Sequence, residues 1–419
     1  MINCDSEIGR LVSLIVHTPD AGIDRISPKH AEELLFDDIV HYPLMLKEYN
    51  VYKEVLNICL GSENVHQVED LLCESLREPS DEKEELLSKI ILEEELPSTE
   101  IEYFNSLSCD KLAKVLITGF DESRDMIFFD PIPNFMFTRD IAVTVNDGII
   151  VTKAAKSARW RENLLTRMII SRHPLFEETR SAGKVVNLNR PDQFPPSKYG
   201  ERVSVEGGDV MMIHKDYILV GVSERSSAHG FELLKNRLLE LELVKNVVKI
   251  NIPKDRSCMH IDTIFTQVDA NDIVCYKPIV YDGLGSNVIV HTARGTKKEY
   301  PSIKDFFKSE LNSEVNFIFA GNGHSPYQER EQWTDGCNLL TLKPGVAISY
   351  DRNLLTAKAF QKQGYTVIDA EDFIKQYATV EDPLSSIEKT IIALPSSELS
   401  RARGGSHCMS MPLVRKAIS

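Results

Sequence analysis

At 419 residues, with 42% hydrophobic and 26% charged residues, the chain is long enough for one large core or two ordinary ones and has the composition of a soluble globular protein. A formal net charge of −15 excludes nucleic-acid backbone binding as a default and leaves small cationic ligands as natural occupants of a cleft. No apolar run reaches membrane-spanning length, and eight cysteines scattered without a CxxC spacing exclude a structural zinc site or a small disulfide scaffold. The start, Met1-Ile-Asn-Cys-Asp-Ser-Glu7, has neither a basic opening nor an apolar signal core, so a reduced, cytoplasmic protein is expected.

Arg10-Leu-Val-Ser-Leu-Ile-Val-His17 is a compact apolar run that ends at Thr18-Pro19 and predicts a buried strand. Ser27-Pro28 predicts a short helical stretch through Glu32 and Glu33, followed by Leu34-Leu-Phe-Asp-Asp38. Apolar residues then recur at helical spacing from about Leu44 to Leu60. Between residues 65 and 116 glycine disappears, Glu, Lys, Leu and Ser dominate, and Pro79 and Pro97 fall between helical runs. This stretch predicts a helical insertion in an otherwise mixed single domain spanning 1–419, its charges forming a wet face.

Beyond Thr118 the pattern repeats. Phe137-Thr-Arg-Asp140 leads into Ala-Val-Thr-Val, the turn Asn146-Asp-Gly148, then Ile-Ile-Val-Thr. Glu206-Gly-Gly-Asp209, His260-Ile-Asp262 and Trp333-Thr-Asp-Gly336 each open a similar apolar–turn–apolar unit. Every unit predicts a β-hairpin whose first strand starts at a polar cluster, and helical stretches follow at 157–170, 227–241 and 354–363. With the N-terminal strand and the C-terminal segment as a fifth unit, the chain reads as strand–strand–helix modules in a ring; an open α/β sheet is the structural alternative.

A ring would bring the hairpin starts together and place Asp140, Glu206, Asp209, His260 and Asp262 around Cys408, which follows two glycines, Ser406 and His407. Cysteine and histidine supply a nucleophile and a general acid/base. Surrounding carboxylates do not suit an oxyanion, which wants donors, but they can clamp a planar guanidinium over the sulfur. Arg159 lies 19 residues after Asp140 and Arg225 lies 19 after Glu206; with Arg403 they could bind a carboxylate at the other end. Taken singly, each has a plain structural role: Asp140 and Asp262 as strand-end turn formers, His260 as a satisfied core histidine, the arginines as surface residues. Together they describe a site for a free amino acid with a guanidinium head.

These residues resemble the arginine deiminases of the guanidino-group-modifying (pentein) superfamily nearly end to end. The resemblance rests on Glu33-Leu-Leu-Phe-Asp-Asp38, Pro133-Asn-Phe-Met-Phe-Thr-Arg-Asp140, Ala158-Arg159 with Arg161-Glu162, Glu206-Gly-Gly-Asp209 and Ser223-Glu-Arg225. It continues through His260-Ile-Asp262-Thr, Arg330-Glu-Gln-Trp333, Tyr350-Asp-Arg-Asn353 and Arg403-Gly-Gly-Ser-His-Cys-Met409. It implies a five-module ββαβ propeller with a helical insertion and cofactor-free hydrolysis of L-arginine to L-citrulline and ammonia. Cys408 would attack the guanidinium carbon, His260 would protonate departing ammonia and then activate water, Asp140 and Asp262 would hold the guanidinium, and Glu206 would support it. Asn134, Arg159, Arg225, Asn353, Arg403 and the Leu35 backbone carbonyl would bind the α-carboxylate and amino end.

Charge and hydropathy lead to the expectation of no nucleic-acid and no membrane partner, no metal is expected, and a homo-oligomer stays open. A related hydrolase of methylated arginine, an amidinotransferase and a non-catalytic arginine-binding protein remain alternatives; no HExxH spacing points to a metal hydrolase. The family usually shows three glycines before His-Cys, whereas Ser406 stands third here. If that position needs a positive φ, serine would cost about 1 kcal/mol.

Overall fold

A computed structural model describes residues 2–418 apart from His30, Glu32 and Asp37. The predicted hairpins form where the apolar alternation places them. Ala142–Val145 pairs antiparallel with Gly148–Val151, Val210–His214 with Tyr217–Val222, Phe265–Gln267 with Asp272–Cys275, and Leu340–Lys343 with Val346–Tyr350. Leu11–Val16 pairs antiparallel with Met411–Arg415, so the two ends of the chain meet in one sheet. In each case one strand of the pair takes a further neighbour in parallel: Val185–Asn187, Asn246–Asn251, Asn316–Phe319, Thr390–Leu394 and Val65–Gln67 respectively complete the five sheets. These five sheets are open, two of them carry extra edge strands, and Phe120–Asp121 pairs with Met126–Ile127 in a small sixth sheet. Near-continuous burial of strands such as Ala142–Val145, Gly148–Val151 and Thr390–Leu394 follows from having both faces covered.

Neighbouring sheets are tied by polar contacts as well as by packing. Thr144 Oγ1 donates to the Pro412 carbonyl (2.8 Å), Lys153 and Val205 exchange backbone hydrogen bonds (3.0 Å), and the Ile261 amide donates to Asp209 Oδ1 (3.0 Å). Thr266 Oγ1 donates to the Cys337 carbonyl (2.8 Å), and fully buried Arg415 donates to the carbonyls of Thr341 (2.8 Å) and Gly9 (2.7 Å). Each bond satisfies a buried polar group whose loss would cost about 1–3 kcal/mol.

Helix α1, Tyr42–Leu60, takes Pro43 in its first turn and buries Met45, Tyr49, Tyr52, Val55 and Leu56. The glycine-free stretch forms α2 (Val68–Leu76), α3 (Asp81–Glu93), α4 (Glu100–Ser106) and α5 (Cys109–Thr118), while Val65–Gln67 at its start is a strand. Ser80 Oγ caps α3 by accepting from the Lys83 amide (3.2 Å), a contact worth about 1 kcal/mol. Gly119 ends α5 at φ 71°, where a Cβ would lie 2.0 Å from the Phe129 carbonyl oxygen. These helices share one apolar cluster with α6 (Trp160–Arg172) and the Ala142–Val151 hairpin.

Two expectations change. Cys73 of α2 and Cys109 of α5 are joined in a disulfide, although the scattered spacing suggested thiols only; helix packing, not sequence proximity, brings the pair together. The helix expected to open at Ser27-Pro28 is a series of turns among the described residues, with Glu32 outside them. Just beyond the expected helix, Leu35 lies in the left-handed region at φ 64°, with Leu34 and Phe36 buried beside it.

Candidate active site

Short 3₁₀ turns stand just ahead of the inner strands: Pro133–Met136, Gly207–Asp209, Ile261–Thr263 and, before the last strand, Leu399–Ala402. With the turn Ser157–Arg159 and the loops around Leu35 and Arg225, they bring Leu35, Asn134, Asp140, Arg159, Glu206, Arg225, His260, Arg403 and Cys408 to the wall of one cavity, which Phe137 and Met259 also line. Nine of the eleven residues expected at the site therefore converge there.

The other two stand behind it. Asp262 is fully buried, its Oδ2 lying 3.5 Å from Cys408 Sγ and 2.9 Å from His407 Nδ1. Asn353 is turned onto Thr334, accepting from its hydroxyl (2.6 Å) and donating to its carbonyl (2.9 Å). Asp209, considered with the acidic cluster, braces the turns instead: it accepts from Ser223 Oγ (2.6 Å) and the Ile261 amide.

The acidic side is organised around His260. Its Nε2 lies 2.9 Å from Glu206 Oε2, and its Nδ1 lies 3.8 Å from Asp140 Oδ1. Asp140 also accepts from the Gly208 amide (3.2 Å) and pairs with Arg159 Nη1 (2.6 Å). Arg159 is held further by Glu162 (2.8 Å) and the Asn134 carbonyl (3.3 Å), and its Nη1 is 3.7 Å from Glu206. The second carboxylate oxygen of Glu206 accepts from the Ala155 amide (3.0 Å).

Burial disfavours charge on His260, but Asp140, the Glu206 hydrogen bond and Asp209 outweigh it and raise its pKa, keeping the imidazolium at neutral pH. Burial pushes Glu206 the other way, yet His260 and Arg159 hold its carboxyl below the usual range. Burial, reinforced by Asp262, Asp140 and Asp335, raises the Cys408 thiol well above its ordinary pKa. Both shifts favour the protonated forms at neutral pH, a thiol at Cys408 and an imidazolium at His260, on the wall of one cavity. Asp140, Glu206 and His260 could bring ligand atoms within 4.8 Å of one another, as a metal site would require. Arg159 already stands among the two carboxylates, its Nη1 2.6 Å from Asp140 and 3.7 Å from Glu206, so these acids are arranged to pair with a planar guanidinium.

The loop bearing Cys408 fits without the strain expected of Ser406. Positive φ falls on Arg403 (63°), not on residue 406. Ser406 Oγ donates to the Ile348 carbonyl (2.7 Å) and accepts from the Leu340 amide (2.9 Å). The glycines serve close approach: a Cβ on Gly404 would stand 2.3 Å from the Phe137 ring, and one on Gly405 would stand 2.5 Å from the Asn338 carbonyl oxygen. Asn338 fixes the turn, accepting from the Cys408 amide (3.1 Å) and donating to the Asp262 carbonyl (3.1 Å).

The arginine deiminase family profile matches residues 120–415 of the chain. Arginine deiminases from Borrelia garinii subsp. bavariensis and Bacillus cereus are 31% and 32% identical to it, each covering 100% of this chain and 98% and 99% of the relative. The chain belongs to the arginine deiminase family. Solved structures give the same α/β fold at low identity. A citrulline-complexed DDAH mutant from Pseudomonas aeruginosa matches at TM-score 0.51 and 15% identity over 96% of this chain and 99% of its own. An amidinotransferase of saxitoxin biosynthesis from Microseira wollei matches at TM-score 0.51 and 15% identity over 100% and 98%.

Sequence reasoning missed the support of the site. Glu7 receives Arg139 at 3.3 and 3.2 Å and lies 3.2 Å from His407 Nε2, giving a buried chain from Arg139 through Glu7 and His407 to Asp262. Arg139 and His407 adjoin motif residues and so carried a signal; Glu7, more than 100 positions away, carried none. Trp333 supports the Arg403 guanidinium, 3.3 Å from its ring centroid, and buried Asp335 lies nearby.

Proposed function

We propose that this chain hydrolyses the guanidinium group of L-arginine to L-citrulline and ammonia through a covalent thiouronium on Cys408. The observation that carries this reading is the division of one cavity: Cys408, His260 and acidic Asp140 and Glu206 share its wall with Arg159, Arg225 and Arg403. A substrate cationic at one end and anionic at the other satisfies both halves.

In the proposed reaction, Asp140 and Asp262 hold the guanidinium, and Glu206 keeps His260 protonated and oriented. The substrate's positive charge lowers the thiol pKa as it settles, the thiol proton leaves to solvent, and the thiolate adds to the guanidinium carbon; the sulfur is reprotonated when the carbon–sulfur bond later breaks. Collapse of this adduct, with a proton from His260, expels ammonia and leaves the carbon bonded to sulfur. Neutral His260 then takes a proton from water; hydroxide adds to the same carbon, the carbon–sulfur bond breaks, and citrulline leaves. Arg159, Arg225, Arg403, Asn134, Asn353 and the Leu35 carbonyl bind the amino-acid end, Arg159 and Asn353 first releasing partners they now hold.

We extend the proposal to the architecture. The five sheets repeat one antiparallel-then-parallel pattern, and ties run from each to the next, supporting a five-module propeller in a single domain over 1–419 with the helices of 65–116 as an insertion. Cytoplasmic residence and action on a small molecule belong to the same reading. No helix among the described residues is long and apolar enough to cross a membrane.

The test is citrulline formation from L-arginine, with agmatine, methylated arginines and an acceptor amine as parallel substrates. Cys408→Ala should abolish turnover while circular dichroism and melting remain those of a folded protein. Substantial residual citrulline would overturn the assignment, and product only with the acceptor amine would make the enzyme a transferase.

A further inference from the structure

A second cavity, of about 440 Å³, lies between the insertion and the rest of the chain, outside the walls of the candidate active site. Lys89 of α3, Lys153, Lys156, Arg167 of α6 and Arg202 all line it, against a single acid, Glu93. Lys156 is paired with Glu224 (3.3 Å). Among the described residues, no carboxylate lies within ion-pairing distance of the other four cations. In a chain of net charge −15, such a concentration of uncompensated positive charge in a concave site is not a consequence of composition.

The repulsion is felt within the fold. Burial first, and then the charges of Arg202 and Lys89, depress the pKa of Lys153. Glu93, the one acid on the cavity wall, makes no ion pair with Lys153, whereas a bound anion would offset its charge. The volume falls in the range of small-molecule sites, of order 300–1,000 Å³, and exceeds what a monoatomic ion fills. Trp160, half-buried, adds an aromatic wall beside the cations. A long polyanion such as nucleic acid would meet the repulsion of the remaining acidic surface, and the cations line a hollow rather than a stripe.

We propose that this cavity binds a small molecule carrying two or three linked phosphates. Lys89 and Arg202 stand exposed at its edge, and half-buried Lys153 and Arg167 reach it from within. The site touches the catalytic machinery through the backbone. Lys153 pairs with Val205, the residue before Glu206, and two positions on, the Ala155 amide holds Glu206 Oε1. An anion gathering the 153–157 segment against α3 therefore acts on the strand start that supports His260.

The experiment is calorimetric titration of the full chain, at low ionic strength without divalent metal, with inorganic pyrophosphate, ADP and inorganic phosphate. Saturable binding of one pyrophosphate or ADP per chain is expected, with orthophosphate at least about tenfold weaker. Lys89→Glu combined with Arg202→Glu should weaken binding at least about tenfold while the ligand-free melting temperature and basal citrulline formation stay unchanged. ADP binding more tightly than pyrophosphate, with the difference lost in Trp160→Ala, identifies a nucleotide; equal or tighter pyrophosphate binding identifies the inorganic source. Absence of saturable binding, equal affinity for orthophosphate, or unchanged affinity in the double variant overturns the proposal. Because the readout is heat of binding, its failure would leave the deiminase reading intact.

Discussion

Asp262 Oδ2 lies 2.9 Å from His407 Nδ1 and 3.5 Å from Cys408 Sγ, so one buried carboxylate oxygen faces both the proposed nucleophile and a histidine that does not line the cavity. His407 is itself held 3.2 Å from Glu7, which Arg139 grips with two guanidinium nitrogens. Burial pushes the Asp262 carboxyl up, but the His407 hydrogen bond and charge reverse this and hold it below the usual range. His407 is thus a positioning residue that keeps Asp262 ionised. His407→Gln should lower kcat by about 10–100-fold, the worth of a charge-assisted buried hydrogen bond, with a much smaller effect on KM for arginine. A melting-temperature loss without a kcat loss would reduce His407 to a packing role.

Arg225 offers its guanidinium to the cavity, 3.9 Å from Glu206 Oε1, 3.8 Å from Glu224 Oε1 and 3.7 Å from Met259 Sδ. Its proposed role is to bind the substrate carboxylate. Arg225→Ala should raise KM for arginine at least about tenfold and leave agmatine, which lacks that group, affected far less. Equal losses on both substrates would argue that Arg225 supports Glu206 instead.

Asp335 tests the electrostatics of the loop. Burial raises its pKa from 3.8 to about 7, against the pull of Arg403. A carboxyl whose pKa is raised on folding contributes stability below its unfolded pKa and loses it as pH climbs toward the folded value, at up to about 1.4 kcal/mol per pH unit. Asp335→Asn removes this dependence and keeps an acceptor for the Gly404 amide. The variant should gain stability relative to the parent as pH rises from 4 to 7 and hold that gain above 7, as measured by urea unfolding across the range. A pH-independent difference would place the ionised form of Asp335 in the folded state throughout.

Ser406→Gly restores the family's usual triplet but deletes a hydroxyl that bonds both Leu340 and Ile348. Because φ at residue 406 is not positive, glycine relieves no strain. The variant should lose about 1–3 kcal/mol of stability by leaving a buried amide and carbonyl unpaired. A gain in melting temperature would restore the view that serine is strained here.

The hairpins were legible in the sequence because strand burial imposes a short-range alternation and the turns use Asn146-Asp147 and Lys343-Pro344-Gly345 between apolar runs. Cys408, His260, Asp140 and Glu206 were legible as candidates because their chemistry is coherent and each stands at the start of such a unit. The Cys73–Cys109 bridge was not legible, since it depends on how α2 packs against α5. Neither was the role of Ser406, because a missing glycine signals strain only if φ is positive, and φ is settled by the loop's contacts with Asn338, Leu340 and Ile348.

What the amino-acid order determined by itself was local: which segments alternate, which turn, and which reactive groups sit at their edges. Tertiary structure alone decided that Glu7 and His407, 400 positions apart, would share a hydrogen bond behind the nucleophile. It also decided that Lys89 would face Lys153 and Arg202 across a cavity. Alternation is set by neighbours within a few residues, whereas a buried charge must find its partner wherever packing places one, and no short-range pattern records that distance.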